Sequence, residues 1–434
     1  MNIVMIGTGY VGLISGLCFA EFGFNVNLVD NDNVRLSNLK KNIMPIYEPG
    51  LEQLFNKHFI ETKRIKLFEK LEDCISNADV IFITVGTPSR RIDDDADLSD
   101  VYSVAEEISM NIKKYCLIVT KSTVPVGTSR KIKEIIERKI DKNIFDVASN
   151  PEFLREGSAL NDFMRPDRVV IGVESKKGEK ILKSLYRPLY ITETPIVITN
   201  IETAELIKYA SNSFLATKIS FINEVADLCE KVGANIKDVS KAMGLDKRIG
   251  SKFLHAGPGF GGSCFPKDVS AFSNTAKKNN VKLSIIDAVN KTNRERPSLL
   301  SNRIISYFSN DVKGLRFALL GLSFKPNTDD IRDSVSIMIG NNLIEAGAQV
   351  IAYDPKAIEN TKKQYDHYQY AEDPYSACKD VDAIIICTEW NEFRALNLDN
   401  LKGIVKKSIM FDLRNIYNQK ELKAGGWEHI SVGR

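Results

Sequence analysis

Apolar residues at the start of the chain predict a strand, a helix and a second strand in succession. Residues 2–7 form a short apolar run, residues 11–22 are hydrophobic over the length of a helix, and residues 26–29 form a second run that ends at Asp30. This order is that of a βαβ unit. Further runs alternate with helical stretches, as in a doubly wound parallel sheet, and lie at residues 80–85, 117–120 and 169–173.

The pattern changes near residue 203, where apolar residues begin to recur at alternating steps of four and three. This spacing marks one face of a long helix that extends to about residue 232, and the chain stays mainly helical to about residue 300. A long helix between two α/β segments is also a natural surface for subunit contact. The apolar face consists of Leu215, Ile219, Ile222, Ala226 and Cys229.

The last third of the chain repeats the order of the first. A strand at 316–321, a helix at 334–346 and a strand at 349–353 that ends at Asp354 form another predicted βαβ unit. The loop after its first strand, at 322–330, has no glycine fingerprint. This copy is therefore expected to bind something other than a dinucleotide.

The composition is that of an ordinary globular protein and narrows the chemistry. Of 434 residues, 43% are hydrophobic and 26% are charged, and the net charge of +3 gives no support for nucleic-acid binding. No apolar run reaches membrane-spanning length, and a strand pattern that begins at Met1 leaves no room for a signal peptide. The seven scattered cysteines form no CxxC pair and do not cluster with the four histidines. We therefore expect neither disulfides nor a metal site. We expect the protein to be located in the reducing cytoplasm.

Gly7, Gly9 and Gly12 fit the GxGxxG fingerprint of a dinucleotide site. The fingerprint follows a strand, opens a helix and precedes the acidic Asp30, which is the context that it requires. The alternative is that these glycines only form turns. Asp30 would accept hydrogen bonds from the adenosine ribose and favour NAD over NADP, although the nearby Arg35 weakens that preference.

These patterns predict an α/β fold with two Rossmann-like doubly wound parallel-sheet domains joined by a helical domain with a long central helix. The predicted domains are an NAD-binding domain at 1–195, a helical domain at 196–305 and a C-terminal Rossmann-like domain at 306–434. Ligands of such sheets bind at the carboxyl ends of the strands. Further cofactor contacts are therefore expected from the loops at 85–88 and 121–125.

A glycine-dense segment at 257–268 carries the candidate nucleophile, Cys264. A thiolate attacks an aldehyde better than a thiol does, and Lys267 together with the backbone N–H groups of the loop could stabilise its charge. With a nicotinamide cofactor, such an adduct would take an alcohol through an aldehyde to an acid. The alternative is a small buried cysteine in a turn, which is the interpretation adopted for the other six.

Two further pairs of polar residues cannot be assigned from spacing alone. Lys208 and Asn212 are four residues apart on the long helix and would project from one face, where a desolvated lysine can move a proton. An exposed helix lysine is the more common alternative. Glu152 and Glu156 have the same spacing and would position water, lie near the nicotinamide or belong to a solvated helical turn.

Five motifs, in this order, resemble those of the UDP-glucose/GDP-mannose dehydrogenase family, and the resemblance extends from Gly7 to Arg414. Arg248 with the two residues after it, and the form of the cysteine loop, are most similar to the members that oxidise UDP-glucose. The motifs are GTGYVG at 7–12, KSTVPVG at 121–127, NPEFLREG at 150–157, GFGGSCFPKD at 259–268 and FKPNTDDIRDS at 324–334.

The resemblance implies a four-electron oxidation in which UDP-glucose, two NAD⁺ and water give UDP-glucuronate and two NADH. The aldehyde formed first would be held on Cys264 as a thiohemiacetal, oxidised to a thioester and hydrolysed. Lys208 would stabilise an oxyanion or relay a proton, and Asp268 would handle protons during hydrolysis. Thr123 and Glu152 would position water, with Glu152 a possible general base, and Asn212 would hold the oxygen at C6.

The family match also implies the ligand contacts and a homodimer through the central helix. Arg248 would reach the substrate of a neighbouring subunit, and no role is carried over to His255. Substrate contacts would come from Glu152, Phe153, Leu154, Lys208, Asn212, Arg248, Phe260, Gly261, Lys325 and Arg414. Cofactor contacts would come from Gly7, Gly9, Tyr10, Val11, Gly12, Asp30, Arg35, Gly86, Thr87, Thr123, Glu156, Lys267 and Arg332.

Three alternatives remain open. The first is the same chemistry on another nucleotide sugar, GDP-mannose or UDP-N-acetylmannosamine. The second is a two-electron dehydrogenase of the 3-hydroxyacid type, which would need neither Cys264 nor residues 310–434. The third is a non-catalytic NAD-binding sensor, which would not need Cys264, Lys208 and Asp268 together.

Overall fold

The computed structural model describes residues 1–90 and 95–434, which form two compact units. The first unit comprises residues 1–211 and 270–281, and the second comprises residues 212–269 and 282–434. Each unit contains one sheet with an apolar core on both of its faces, as the α/β prediction requires.

The sheet of the first unit has eight strands. They are β1 (Asn2–Ile6), β2 (Asn25–Val29), β3 (Ile65–Phe68), β4 (Val80–Ile83), β5 (Cys116–Thr120), β6 (Phe145–Ser149), β7 (Val169–Val173) and β8 (Ile196–Thr199). Their order across the sheet is β3-β2-β1-β4-β5-β6-β7-β8. Along β1 the side chains alternate between the two apolar cores, with Ile3 and Met5 on one face and Val4 and Ile6 on the other.

Helices cover this sheet and continue into the middle of the chain. The first seven are α1 (Tyr10–Glu21), α2 (Asn33–Lys40), α3 (Leu51–Asn56), α4 (Ser99–Asn111), α5 (Thr128–Glu137), α6 (Ala159–Met164) and α7 (Lys176–Leu185). The middle of the chain contains α8 (Ile201–Val232), α9 (Ile236–Leu245), α10 (Phe265–Lys278) and α11 (Ser284–Tyr307). Short segments of other helix types lie at Lys57–Glu61, Leu71–Asp73, Lys142–Ile144 and Arg187–Thr192.

The sheet of the second unit confirms the predicted repeat. Its strands are β9 (Arg316–Leu320), β10 (Gln349–Tyr353), β11 (Gln369–Tyr370), β12 (Ala383–Ile386), β13 (Ile409–Asp412) and β14 (Glu428–Ser431), all parallel, in the order β11-β10-β9-β12-β13-β14. This is the order of the first six strands of the first sheet. The helices are α12 (Val335–Glu345), α13 (Ile358–Lys362), α14 (Pro374–Ala377), α15 (Asn391–Arg394), α16 (Leu398–Ile404) and α17 (Gln419–Ala424).

The long central helix is confirmed as α8, which has 32 residues and joins the two Rossmann-like sheets along the chain. The face that the spacing predicted is buried in its second half, because Ile222, Ala226 and Cys229 all lie in the core of the second unit. Leu215 and Ile219, in its first half, are only partly buried. The core also contains Leu300 and Ile304 of α11. The division into three domains stays a prediction.

The first sheet departs from the expected all-parallel arrangement at one place. β7 runs antiparallel to β6, with Ala148 opposite Val173 and Ser149 opposite Gly172. The connection between them returns along the same edge instead of crossing the sheet. As a result, the loop that follows β6 at residue 150 continues beside β7, and Asn150 Nδ2 donates a hydrogen bond to the Val170 carbonyl at 2.8 Å.

Candidate active site

The glycine fingerprint has the geometry of a dinucleotide cradle. Gly7 has a φ of +99°, which favours glycine, and a Cβ at Gly12 would lie 1.9 Å from the Gly7 carbonyl oxygen. A Cβ at Gly9 would meet no atom within 4 Å, so the space above the start of α1 is open. Open space, close backbone and a helix N-terminus together fit a pyrophosphate.

Asp30 is buried at the carboxyl end of β2 and is held by the fingerprint loop. Its Oδ2 accepts hydrogen bonds from the Thr8 backbone N–H at 2.7 Å and the Thr8 hydroxyl at 2.6 Å, and Arg35 lies 2.9 Å away. Burial raises the pKa of Asp30, but the hydrogen bonds from Thr8 and Asp32 and the charge of Arg35 lower it below its ordinary value. Asp30 is therefore an anion, as a ribose hydroxyl requires.

The predicted cofactor loops meet at the same edge of the sheet. Thr87 Oγ1 donates a hydrogen bond of 2.8 Å to the Thr123 carbonyl, so the loops after β4 and β5 are linked. A Cβ at Gly86 would again meet no atom within 4 Å. Val11, next to the cradle, is partly exposed, and Glu156 is buried.

Sequence reasoning missed the role of Glu48. This buried carboxylate accepts hydrogen bonds from the Tyr10 hydroxyl and from the backbone N–H groups of Gly157 and Ala159, at 2.6 and 2.7 Å. It therefore connects the fingerprint to the loop that carries Glu152 and Glu156. Its signal in the sequence was weak, because Glu48 lies 109 residues from Gly157.

Glu152 and Lys208 form a buried ion pair in the first unit. Lys208 Nζ lies 2.8 Å from Glu152 Oε1, and each side chain is 4% exposed. The exposed-lysine alternative is therefore wrong. The solvated helical turn is also wrong, because the chain from 150 to 155 is not helical.

The charge of Lys208 stabilises the ionised form of Glu152. Burial raises the pKa of Glu152, but the charge and hydrogen bond of Lys208 and the backbone N–H of Leu154 lower it below its ordinary value. The Leu154 N–H lies 2.5 Å from Glu152 Oε2. Glu152 is thus ionised at neutral pH and oriented by two donors.

Phe153, next to Glu152, packs against a cation that the motifs did not reveal. The guanidinium carbon of Arg168 lies 3.6 Å from the centre of the Phe153 ring, and Lys208 Nζ lies 5.4 Å from it. Arg168 immediately precedes β7, so its approach to Phe153 follows from the antiparallel strand. A cation on a ring face fixes the orientation of both groups.

Cys264 differs from every other cysteine of the chain. It is partly exposed, whereas the other six are buried. Its carbonyl accepts the N–H of Asp268 at 2.8 Å, so Cys264 caps the N-terminus of α10. The positive end of a 14-residue helix at this position stabilises negative charge on sulfur.

Asn212, Lys267 and Asp268 form a second polar cluster, in the second unit. Asp268 is buried, and its carboxylate accepts hydrogen bonds from Asn212 Nδ2 at 2.6 Å and from Lys267 Nζ at 2.8 Å. Asp268 and Cys264 lie on the same turn at the start of α10. The structure thus brings an acid, an amide and a lysine to the segment that carries the thiol.

The glycines of the cysteine loop are required by close packing. A Cβ at Gly261 would lie 2.2 Å from the Asp333 carbonyl oxygen, and a Cβ at Gly262 would lie 2.6 Å from the Phe324 ring. The adjacent Phe260 is buried, and Arg414 donates to the Cys387 and Phe324 carbonyls at 2.7 and 3.1 Å. Lys325 lies over the Phe324 ring, at 5.2 Å from its centre.

Two predicted ligand contacts, Arg248 and Arg332, and His255, to which no role was assigned, lie at the surface of the second unit. Arg248 is 89% exposed and pairs with Asp246 at 2.6 Å, and Arg332 is 62% exposed and pairs with Asp330 at 2.7 Å. His255 is also exposed. Nothing within their unit brings Arg248 or His255 to the cysteine cluster, whereas the Arg332 carbonyl accepts the N–H of Gly262 at 2.8 Å.

Asp354, at the end of β10, corresponds to Asp30 but is fully engaged by its own domain. Its Oδ2 accepts from the backbone N–H groups of Leu322 and Ser323, from the Ser323 hydroxyl and from the indole of Trp390, at 2.8 to 3.2 Å. Its Oδ1 accepts the N–H groups of Lys356 and Ala357. The second copy therefore lacks the acceptor that a dinucleotide ribose would use.

Comparison with known proteins extends over the whole chain. A protein named UDP-glucose 6-dehydrogenase from Rhizobium meliloti (strain 1021) is 50% identical over 436 residues, covering all of both chains. One with the same name from Rickettsia bellii (strain RML369-C) is 48% identical over 435 residues, covering 100% of this chain and 99% of its own. The solved structure of a UDP-glucose dehydrogenase from Pyrobaculum islandicum superposes with a TM-score of 0.91 at 36% identity, covering 100% of this chain and 97% of that one.

Models of three family domains match successive parts of the sequence. Residues 1–190 match the NAD binding domain, residues 202–295 the central domain and residues 318–419 the UDP binding domain of one family. Within residues 1–90 and 95–434, no helix is both long and apolar enough to cross a membrane. The first domain binds NAD, the last is a UDP-binding domain, and the chain belongs to the UDP-glucose/GDP-mannose dehydrogenase family.

Proposed function

We propose that this protein is a UDP-glucose 6-dehydrogenase, which oxidises UDP-glucose to UDP-glucuronate with two NAD⁺. The observation that carries the proposal is the identity of 50% over the full length of a relative with that name. The solved UDP-glucose dehydrogenase, at 36% identity, supports it as well. Two solved structures of UDP-N-acetylmannosamine dehydrogenases are only 23 to 24% identical to this chain, so they support the fold and not the substrate.

Two groups of residues would serve the oxidations. NAD⁺, when bound, supplies a hydride acceptor for each of the two steps. Glu152 is a buried anion beside Lys208, so Lys208 can hold an oxygen at C6 while Glu152 takes or returns a proton through water. The Thr123 carbonyl accepts a hydrogen bond from Thr87, a predicted cofactor contact, and Thr123 would position that water. Asp30 and the cradle at Gly7, Gly9 and Gly12 would hold the dinucleotide.

Cys264 would carry the intermediate. Its thiolate adds to the aldehyde carbon, an S–C bond forms, and the oxygen takes up a proton to give a thiohemiacetal. After the second oxidation, water adds to the thioester and the S–C bond breaks, which releases the carboxylate and returns the thiol. Asn212 and Asp268, 2.6 Å apart, would hold the oxygen and manage the protons of these steps. Phe153, Leu154, Phe260, Gly261, Lys325 and Arg414 would bind the nucleotide sugar.

The stoichiometry of NADH tests this function directly. With limiting UDP-glucose and excess NAD⁺, two NADH per sugar are expected, and GDP-mannose and UDP-N-acetylmannosamine should give little. One NADH per sugar would show that the aldehyde is released and that Cys264 does not act as assigned. NADH formation with only GDP-mannose or UDP-N-acetylmannosamine would support the reaction type but contradict UDP-glucose as the substrate. No NADH with any of the three sugars would favour an NAD-binding sensor.

A homodimer through α8 is the second part of the proposal. Phe214, Phe221 and Leu228 follow one another at seven-residue steps and are 65%, 48% and 60% exposed. A stripe with this period is the surface along which two helices pack, and a second copy of the chain presents the same stripe. Arg248, exposed in its own unit, would then be free to reach the partner's substrate. The scattered placement of the seven cysteines, with no CxxC pair, supports the cytoplasm as the compartment.

Charge on the stripe is expected to separate the subunits. Replacing Phe214 and Phe221 with lysine puts like charges at the contact, so the mass measured by light scattering should fall from two chains to one. The matched control is Tyr190→Lys, which adds charge at an aromatic residue that is 85% exposed but is not part of α8. A wild-type protein with the mass of one chain, or a double variant with the mass of two, would contradict the proposal.

A further inference from the structure

Lys121 is a buried lysine whose ammonium is bonded to uncharged groups. The residue is 3% exposed, and its Nζ donates hydrogen bonds to Asn150 Oδ1 at 3.1 Å and to the Tyr186 hydroxyl at 3.2 Å. The Tyr186 hydroxyl in turn donates to Asn150 Oδ1 at 2.5 Å. The rings of Phe82, Phe163 and Tyr186 surround the ammonium, with centres 5.7 to 6.0 Å from Nζ.

A charge in this place costs the fold free energy. No carboxylate of the described residues hydrogen-bonds Lys121, and burial lowers its pKa to about 8. Well-packed apolar residues usually stabilise such a site more than buried charges do. A buried ionisable group that the core does not need is a candidate for a functional role.

Lys121 also lies between two segments of the candidate active site. It is the first residue after β5 and precedes Thr123 by two, whereas Asn150 is the first residue after β6 and precedes Glu152 by two. β5 and β6 are parallel neighbours, and the Asn150 N–H bonds the Thr120 carbonyl at 2.9 Å. The hydrogen bond from Lys121 to Asn150 therefore links the Thr123 loop to the Glu152 loop.

Several charged and titratable groups face this cluster. Glu152 is influenced by Lys208 of α8 and by Lys121, and Arg168 before β7 interacts with Glu152. Lys121 is influenced by Glu152, by Lys208 and by Cys18 of α1, and it bonds Tyr186, which follows α7. Burial raises the pKa values of Cys18 and Tyr186, so both stay neutral at neutral pH. The groups that change the field at Glu152 are therefore the three cations.

We propose that Lys121 is a positioning residue for the oxidation, a buried cation that fixes the Glu152 loop through Asn150 and keeps Glu152 ionised beside Lys208. The inference rests on the proposed function, because it assigns to Glu152 a role in proton transfer. Lys121 itself is enclosed by protein and touches neither ligand in this account. Its charge stabilises the Glu152 anion, which remains the group that exchanges protons.

The test compares Lys121→Met, which removes the charge at similar size, with Lys121→Gln, which keeps a donor for Asn150. Removing a nearby cation raises the pKa of a carboxyl group, so the acid limb of the pH profile of kcat/KM should move up by about one pH unit in both variants. Above pH ~8, where the wild-type ammonium also loses its proton, the profiles should converge. Tyr186→Phe keeps the charge and should leave the acid limb in place.

A measurement without substrate separates this inference from the proposed function. Carbon-13 NMR of labelled glutamate follows the Glu152 carboxyl, whose signal is identified by its loss in Glu152→Gln. Titration of Glu152 at higher pH in Lys121→Gln than in wild type is expected even if UDP-glucose is not turned over. An unmoved titration, or an equal loss of kcat/KM at every pH, would reduce Lys121 to a scaffold residue and overturn the proposal. Should Lys121→Met fail to fold, Lys121→Gln gives the same decision.

Discussion

Replacing Cys264 with alanine is expected to abolish the formation of UDP-glucuronate. The variant has no sulfur to hold the aldehyde, so the steady-state rate of acid formation should fall by at least about 10³-fold. Because Cys264 is partly exposed at the start of α10, the substitution leaves the apolar cores untouched and stability should hardly change. The measurement is the amount of UDP-glucuronate and of NADH formed per UDP-glucose, followed together by chromatography and absorbance.

The control for this substitution is Cys378→Ala, which removes a buried thiol from the second unit. It should keep two NADH per UDP-glucose and lose only stability, as core substitutions do. An alkylating reagent should modify Cys264 of the native wild type before the six buried cysteines. Continued acid formation by Cys264→Ala at the wild-type rate would remove Cys264 from the mechanism.

Replacing Lys208 with methionine is expected to damage both stability and activity. The change leaves Glu152 buried without its partner at 2.8 Å, which costs about 3 kcal/mol in the free energy of unfolding. Because the pKa of Glu152 is depressed in the folded protein, the stabilisation is present at neutral pH and is lost as the pH falls through that pKa. The deficit of the variant, measured by urea unfolding, should therefore shrink on acidification.

A double variant distinguishes the structural role of this pair from its chemical role. In Lys208→Met with Glu152→Gln neither member of the pair keeps a charge, so much of the stability should return while oxidation of UDP-glucose stays at least about 10²-fold slower. Lys131→Met breaks an exposed pair with Glu134 and should alter neither property. If activity returned together with stability in the double variant, Glu152 and Lys208 would be structural residues only.

Much of the fold follows from local patterns. The fingerprint at Gly7, the apolar runs and the repeat that ends at Asp354 each depend on residues within about one βαβ unit, and the structure confirms them. The face of α8 also follows from its spacing. Each of these features is determined by residues that are close together along the chain, so the sequence alone predicts it.

Other features depend on residues that are far apart along the chain. Lys208 and Glu152 are 56 residues apart, as are Asn212 and Asp268, and spacing within a helix cannot show that either pair exists. Likewise, the reversal of β7 is decided by how the chain after β6 packs, and it is what brings Arg168 to Phe153. Motif resemblance named several of these residues but could not supply the contacts between them.

The carboxylate of Asp354, whose oxygens are already hydrogen-bonded, affects which ligand the second Rossmann-like domain can bind. A second open Rossmann-like site in the same chain would bind NAD in competition with the sugar nucleotide. With six donors already on Asp354, one of them the Trp390 indole, the second copy offers the coenzyme no ribose anchor. The six donors on Asp354 and the missing glycine fingerprint at 322–330 therefore leave the second copy without either of the features that hold a dinucleotide in the first.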